Sequence, residues 1–299
     1  MGKKEHYTYQ IQLLMQNRVQ HMSIHFTKMH GLGNDFMVID GVNQTIKLTA
    51  AQISALSNRK TGIGFDQCLL VERSHKPNID FHYRIFNANG TEVGQCGNGA
   101  RCIARFVYHY GLSKKKIINV STQTTNLQLI LNTDNTVTVR FDHPNLTPST
   151  IPLHATKQSP YYSIQLSDSE HYQVHALSVG NPHAILVVPD INIIDVAIVG
   201  KKISEHPFFP EQTNVEFMQI LSKSHIKLRV YERGCGETTA CGSGALAAAA
   251  IGKLYHQLDA NITVSLPGGD LLVNWPTVTD YIFLTGPATF VYEGNVNSP

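Results

Sequence analysis

The chain is short of charge, of tryptophan and of long apolar runs. Of its 299 residues 15% are charged, one is tryptophan, and the formal net charge is +2. That excess sits in the first 21 residues, where Lys3, Lys4 and Arg18 face only Glu5. The remainder is neutral, which excludes the basic field of a nucleic-acid-binding surface. No stretch of about 18 uncharged apolar residues occurs, so no membrane-spanning helix is expected. Residues 1–21 lack a continuous apolar core and a small-residue cleavage site, so they read as a disordered extension rather than a signal peptide. Cysteines number five. With no signal peptide, so few thiols point to reduced side chains in a cytoplasm. Phosphate-loop, dinucleotide and zinc-protease signatures are missing, and neither cofactor nor metal is expected. Cys96/Cys102 and Cys235/Cys241 each enclose five residues, wider than the roughly two to four of a thiolate zinc site.

What the chain does have is a repeat. Glu92-Val-Gly-Gln-Cys96-Gly-Asn-Gly-Ala100 is echoed by Glu237-Thr-Thr-Ala-Cys241-Gly-Ser-Gly-Ala245. Arg84 and Arg229 each lie twelve residues before their cysteine, and Asn87 and Glu232 each lie nine before. Farther upstream, Gly33-Asn34 matches Gly180-Asn181, and Gln67 matches Asn214. The offset is 147 residues for the upstream pairs and 145 for the others, so two halves of similar architecture are expected, with a polar site where they meet.

Periodicity gives a strand-heavy α+β pattern with one principal helix per half. Strands are expected at Ser23–Met29, Met37–Ile39, Cys68–Val71, Ile79–Phe86, Ile118–Ser121, Leu127–Leu131 and Thr136–Phe141. In the second half they are expected at Tyr162–Leu166, Gln173–Val179, Ala184–Val188, His225–Tyr231, Ile262–Leu266, Leu271–Trp275 and Tyr281–Leu284. Leu48–Asn58 reads as a short helix capped by Thr49, and longer helices open after Cys96 and Cys241. Pro144, Pro148 and Pro152 mark the crossing between halves. The division expected is an extension over 1–21, an N-terminal half over 22–140 plus 287–299, and a C-terminal half over 141–286.

A thiol at a helix start can be favoured as thiolate by the positive helix end, and the free amides there can hold a carboxylate. Two such thiols facing one carbon would invert it. One takes the α-proton as base, and the other returns a proton to the opposite face. Gly97, Asn98, Gly242 and Ser243 supply the amides. Cys68, Cys102 and Cys235 read as small buried hydrophobes. Asn34, Asn181 and Asn214 fit a turn role as well as a site role, and His183 fits a core role, though its place beside Asn181 draws it to the site. A small-molecule binding protein with inert cysteines, and a thiol or zinc redox protein, are compatible with the same residues.

These motifs together resemble the diaminopimelate epimerase family. The resemblance runs from about Ser23 to Gly294. It is carried by Phe26-Thr-Lys-Met-His-Gly-Leu-Gly-Asn-Asp-Phe36, Gly64-Phe-Asp-Gln67, Cys96-Gly-Asn-Gly-Ala-Arg101 and Gly180-Asn-Pro-His183. Tyr231-Glu-Arg-Gly234, Gly236-Glu237, Ala240-Cys-Gly-Ser-Gly-Ala245, Leu266-Pro-Gly-Gly269 and Thr285-Gly-Pro287 complete it. Related proline-racemase-like enzymes usually have His after the first Cys-Gly, where this chain has Asn98. The resemblance implies two pseudo-symmetric halves, each a mostly antiparallel sheet wrapped around a central helix, with the site in the cleft. It implies a cofactor-independent epimerase of a small-molecule substrate with Cys96 and Cys241 as acid/base pair. Asn34, Gln67, Asn87, Asn181, Asn214, Glu232 and Arg233 would contact substrate side groups. Gly97, Asn98, Gly242 and Ser243 would hold the reacting carboxylate, His183 and Glu232 would tune the thiols, and Tyr292 would serve a homodimer contact. Gly94, Cys235 and the extension are the departures from the family's pattern.

Overall fold

Ser23–Gly31 (β1) buries alternate residues at its start and turns back on Asn34–Asp40 (β2) through Leu32 and Gly33. Both turn residues have positive φ, 55° and 90°, the two-residue geometry whose twist matches the flanking strands. This hairpin belongs to a computed structural model that describes residues 23–297. The expected extension over 1–21 lies outside the described residues.

From β2 the chain crosses through Ala50–Ser57 (α1) to Gln67–Arg73 (β3), parallel to β2. The expected Thr49 cap is present as a full capping box with Gln52. Phe81–Asn87 (β4) pairs antiparallel with β3, and Glu92–Val93 (β5) with β4. Gly97–His109 (α2) leads to Ile117–Ser121 (β6), Asn126–Leu131 (β7) and Val137–Phe141 (β8). The second half repeats this order. Tyr162–Ser167 (β9), Glu170–Ser178 (β10) and Pro182–Val187 (β11) come first. Val196–Ser204 (α3), Asn214–Ser222 (β12), His225–Glu232 (β13) and Gly236–Thr238 (β14) follow. Gly242–Tyr255 (α4), Asn261–Leu266 (β15), Gly269–Asn274 (β16) and Ile282–Gly286 (β17) close it. Thr289–Asn297 (β18) then returns to pair antiparallel with β1.

The repeat holds at the level of single pairs. Cys68 faces Phe86 across β3–β4, and Val215 faces Tyr231 across β12–β13, the same offsets as the polar positions. β2–β3 and β11–β12 are the matching parallel pairs, and β4–β6 and β13–β15 are another. β8 pairs with β17 and so joins the halves. The α+β reading stands, with α3 and the strands β5, β12, β14 and β18 not anticipated. Val196–Ser204 buries Val196, Val199, Gly200, Ile203 and Ser204 at helical spacing, a signal that was overlooked, whereas Asn214–Ser222 buries five residues in succession and so does not alternate.

One continuous core holds both α2 and α4 against strands of both halves. Between Gly242 and Gly252 every residue of α4 except Ser243 is buried, which only a helix of small side chains enclosed on all sides can manage. Two lesser cores lie outside the sheets, under α1 with Ile53 and Leu56 and under α3 with Val199 and Ile203.

The halves also touch through their turns. Thr239 Oγ1 donates to the Leu32 carbonyl at 3.3 Å, and the Gly268 amide donates to the Thr239 carbonyl at 2.8 Å. A Cβ at Gly268 would come 2.2 Å from the Leu32 carbonyl oxygen, which is backbone and cannot rotate away. Gly268→Ala is therefore expected to cost about 1–3 kcal/mol in urea unfolding; a cost below measurement error would show that the turns part freely.

Candidate active site

Each cysteine is itself the N-cap of its helix. Cys96 (φ −152°, ψ 108°) and Cys241 (φ −117°, ψ 111°) are extended, and their sulfurs accept the amides of Gly99 at 3.3 Å and Gly244 at 3.4 Å. Sulfur thus fills a place usually held by a Ser, Thr, Asp or Asn oxygen. The glycines sit in close quarters. A Cβ at Gly99 would lie 3.3 Å from Leu69, and one at Gly244 would lie 2.9 Å from Glu216 Oε1. Helix geometry leaves the amides of Gly97 and Asn98, and of Gly242 and Ser243, without carbonyl partners. The two helix starts meet. Asn98 Nδ2 donates across the halves to the Ala240 carbonyl at 3.2 Å and also to Asn34 Oδ1 at 3.3 Å.

Around Cys96 the structure gathers Asn34, whose Oδ1 lies 3.8 Å from the sulfur. Asn34 Nδ2 donates to Asp66 Oδ2 at 3.0 Å, and Asp66 accepts from Arg59 at 2.7 Å. Arg59 also grips Asp35 with both nitrogens, and Lys28 pairs with Asp35 at 2.6 Å. Their charges hold the Asp35 carboxyl far below the ordinary carboxylate range against the effect of burial. Asp35 and Asp66 were not among the expected site residues, although each directly adjoins one, Asn34 and Gln67. Gln67 Nε2 donates to Asn87 Oδ1 at 2.9 Å, and Gln67 Oε1 is buried with no partner among the described residues.

Around Cys241, Ser243 Oγ lies 3.4 Å from the sulfur and receives Asn181 Nδ2 at 3.4 Å. Asn181 Oδ1 accepts from His183 Nε2 at 3.1 Å. His183 is fully buried, and its Nδ1 lies 2.6 Å from Glu216 Oε1, also fully buried. Glu216 was not anticipated: it stands in an uninterrupted buried stretch with no turn or glycine to mark it. Glu232 accepts from Thr238 Oγ1 at 2.5 Å and acts on both thiols, raising each.

Two candidates are engaged elsewhere. Asn214 spends its side chain on backbone, donating to the Pro182 carbonyl at 3.2 Å and accepting the Arg233 amide at 3.0 Å. The Arg233 guanidinium is exposed and donates to the Glu211 carbonyl at 2.8 Å. The repeated Arg and Glu also find a structural use: Arg84 holds Glu92, and Arg229 holds Glu237, each with two nitrogens on two oxygens. Each pair fastens the segment leading into a cysteine. Tyr292 lies on β18, away from the cleft, exposed, with its ring edge-on to Phe26 at 6.0 Å.

Two expectations are corrected. Cys235 is exposed, because Gly234 (φ 75°) and Gly236 (φ 88°) turn the β13–β14 connection outward. Nor does the positive helix end leave either thiol acidic. Burial outweighs it, pushing Cys96 up to about 11 and Cys241 well above its usual value, while the Gly99 and Gly244 amides pull the other way. Burial likewise raises the carboxyls of Glu216 and Glu232. A thiol held this high is a strong base once ionised, and a neighbouring carboxylate or imidazole must accept its proton first.

Burial also lifts Cys68 and Cys102 to about 12. Above pH 9 the unfolded chain loses thiol protons that the folded chain keeps, so the folded state binds more protons and stability falls as pH rises towards 12. The fall is expected to reach about 1.4 kcal/mol per pH unit for each such thiol, and Cys102→Ala should flatten it. Urea unfolding at pH 8 and pH 10.5 checks this; an unchanged slope in the variant would contradict it.

The family profile described as diaminopimelate epimerase matches residues 26–147 and 175–291. A diaminopimelate epimerase of Legionella pneumophila strain Philadelphia 1 is 61% identical over 277 residues, covering 93% of this chain and all of that protein. That of strain Paris is 60% identical over the same length and coverage. Among solved structures, a hydroxyproline epimerase from Agrobacterium vitis superposes with a TM-score of 0.68 at 13% identity, covering 94% of each chain. A phenazine biosynthesis protein of the PhzF family from Bacillus anthracis does so with 0.65 at 16% identity, covering 92% of this chain and 99% of that one. At such identities these two establish the fold, while the profile and the 61% relative reach further. With most of its length matched and both Cys-Gly helix starts inside the matched segments, this chain belongs to the diaminopimelate epimerase family.

Proposed function

We propose that the protein interconverts LL- and meso-diaminopimelate, with Cys96 and Cys241 as its acid/base pair and no cofactor. The observation that carries the mechanism is that two thiols at equivalent positions of a repeated fold cap two helices meeting head to head. The α-carboxylate lies between the helix starts and accepts the amides of Gly97, Asn98, Gly242 and Ser243. The α-carbon then presents one face to each sulfur. One thiolate takes the α-proton, charge moves into the carboxylate under the helix-end amides, and the other thiol protonates the opposite face. Nothing is consumed, but the two sulfurs have exchanged protonation states. Glu232 and His183 accept and return the proton that resets them.

The remaining polar groups bind the distal amino-acid end and the reacting amino group. Glu232 suits an ammonium, Arg233 suits a carboxylate with two parallel bonds, and Asn34, Gln67, Asn87, Asn181 and Asn214 serve either. The unpartnered Gln67 oxygen favours this use. For Asn214 and Arg233 the reading requires that they exchange a backbone contact for substrate. The site lies between an N-terminal half of 22–140 plus 287–299 and a C-terminal half of 141–286. The working form is a cytoplasmic homodimer formed along β18 around Tyr292, and the reaction supplies precursors of lysine and peptidoglycan. Among the described residues no helix is long and apolar enough to cross a membrane.

Incubation of the purified protein with LL-diaminopimelate, with the isomers separated by chromatography, tests the reading. Cys96→Ala and Cys241→Ala are each expected to lower turnover by a factor on the order of 1,000 or more while leaving the fold intact. Near-normal turnover in either variant would contradict the assignment of the pair.

A further inference from the structure

Arg101 is the largest fully buried side chain among the described residues, with no exposed surface. It lies one helical turn past Cys96 on α2. Its hydrogen bonds go to neutral acceptors alone: Nε to the Pro287 carbonyl at 3.1 Å, Nη1 to the Gly97 carbonyl at 3.4 Å, and Nη2 to Asn98 Oδ1 at 2.8 Å. No ion pair among the described residues includes it, although Arg59, Arg84 and Arg229 all have carboxylates. A buried charge with no partner of opposite sign is costly and is not kept for packing.

Its surroundings make the cost larger. A Cβ at Gly31 would come 3.0 Å from Nη2 and one at Gly286 3.2 Å from Nε. These two glycines belong to separate motifs, at the end of β1 and the end of β17. They leave room for one guanidinium directly behind two helix N-termini that are themselves positive. Three like-signed elements converge. The nearby carboxyls, Glu216 beside Gly244 and Glu232 close to both thiols, are pushed towards their protonated form by burial, and neither pairs with Arg101. An anion bound or formed between the helix starts would supply the charge that Arg101 lacks.

We propose that Arg101 is the fixed countercharge of this site, neutralised when the substrate carboxylate binds and when Cys96 ionises. It acts also as a positioning residue, because its bond to Asn98 Oδ1 aims Asn98 Nδ2 at Asn34 and Ala240 and so pins the halves together at the reacting end. The Arg101 charge pulls the Cys96 thiol down against its burial, in keeping with this role. The carboxylate part rests on the proposed function, whereas the effect on Cys96 does not.

Two readouts separate these. In substrate-free protein, the pH dependence of Cys96 alkylation by iodoacetamide is followed by peptide mass; Cys96 is the more exposed of the two thiols. With LL- and meso-diaminopimelate, kcat/KM is measured in both directions. Arg101→Met and Arg101→Gln are expected to fold, to move the alkylation midpoint up by about one pH unit, and to lower kcat/KM on the order of 100-fold equally in both directions. Arg101→Lys, which keeps the charge without the fork, should restore the midpoint and only part of kcat/KM. A wild-type midpoint or a wild-type kcat/KM in the neutral variants overturns the proposal. So does failure of both neutral variants to fold while the Lys variant folds, since the charge would then be structural. If the wild-type protein does not turn over diaminopimelate, the proposed function falls, and the alkylation midpoint alone decides for or against the Arg101 charge.

Discussion

Two α-helices whose N-termini meet inside a protein repel each other, since each presents unpaired amides and the positive end of its dipole. Much of this fold serves to hold α2 and α4 in that arrangement. The β8–β17 pairing ties the two sheets together, and one core encloses both helices. The alanine surface of α4 lets strands close around it on every side. Where the helix starts touch, Asn98 is shared between Asn34, Ala240 and Arg101, so a single side chain bridges both halves and the buried cation. In the proposed mechanism an anion bound there offsets this repulsion, and a carboxylate whose charge rises during reaction would fit it.

The two halves match in backbone but differ in the layer behind each thiol. Leu69 lies at the position behind Cys96 that Glu216 occupies behind Cys241, and both are read from contacts to equivalent glycines. Phe36 stands opposite Gln67 as His183 stands opposite Asn214. Asn87 on β4 corresponds to Glu232 on β13. Directly behind the sulfurs, the Cys96 side therefore presents Leu69, Phe36 and Asn87 where the Cys241 side presents Glu216, His183 and Glu232, and the ion pairs of Asp35 and Asp66 lie farther out, beyond Asn34. Symmetric thiols can exchange a proton through a substrate, but an internal store of protons needs ionisable groups on at least one side. In the proposed mechanism, this asymmetry supplies the groups that reset the two thiols.

The chemistry written into local sequence was legible, and the chemistry assembled across distance was not. Cys-Gly-x-Gly-Ala announces a helix start with a thiol cap because sulfur, glycines and alanine are consecutive, and both copies folded that way. The twelve-residue spacing of Arg84 and Arg229 was visible as a repeat, yet only the structure gives it a use as a clasp on Glu92 and Glu237. Glu216 was hidden because a strand buried on both faces has no alternation to interrupt. Arg101 stood within a motif but carried no sign that its guanidinium would be sealed beside glycines of two distant strands, Gly31 and Gly286. Cys235 was misjudged because its exposure depends on the positive φ of both flanking glycines. The strand at β18 was hard to see, since its partner β1 is at the opposite end of the chain.

The central claim is that two separate groups, one on each face of the α-carbon, handle the proton. Following LL-diaminopimelate in deuterium oxide at low conversion, by proton NMR and mass analysis of the separated isomers, addresses it directly. Two thiols predict deuterium at the α-carbon of the meso product with almost none in the remaining LL substrate, because the returning atom comes from the second, solvent-equilibrated thiol. Equal labelling of substrate and product from the earliest times, as a single exchanging base would give, would contradict the account.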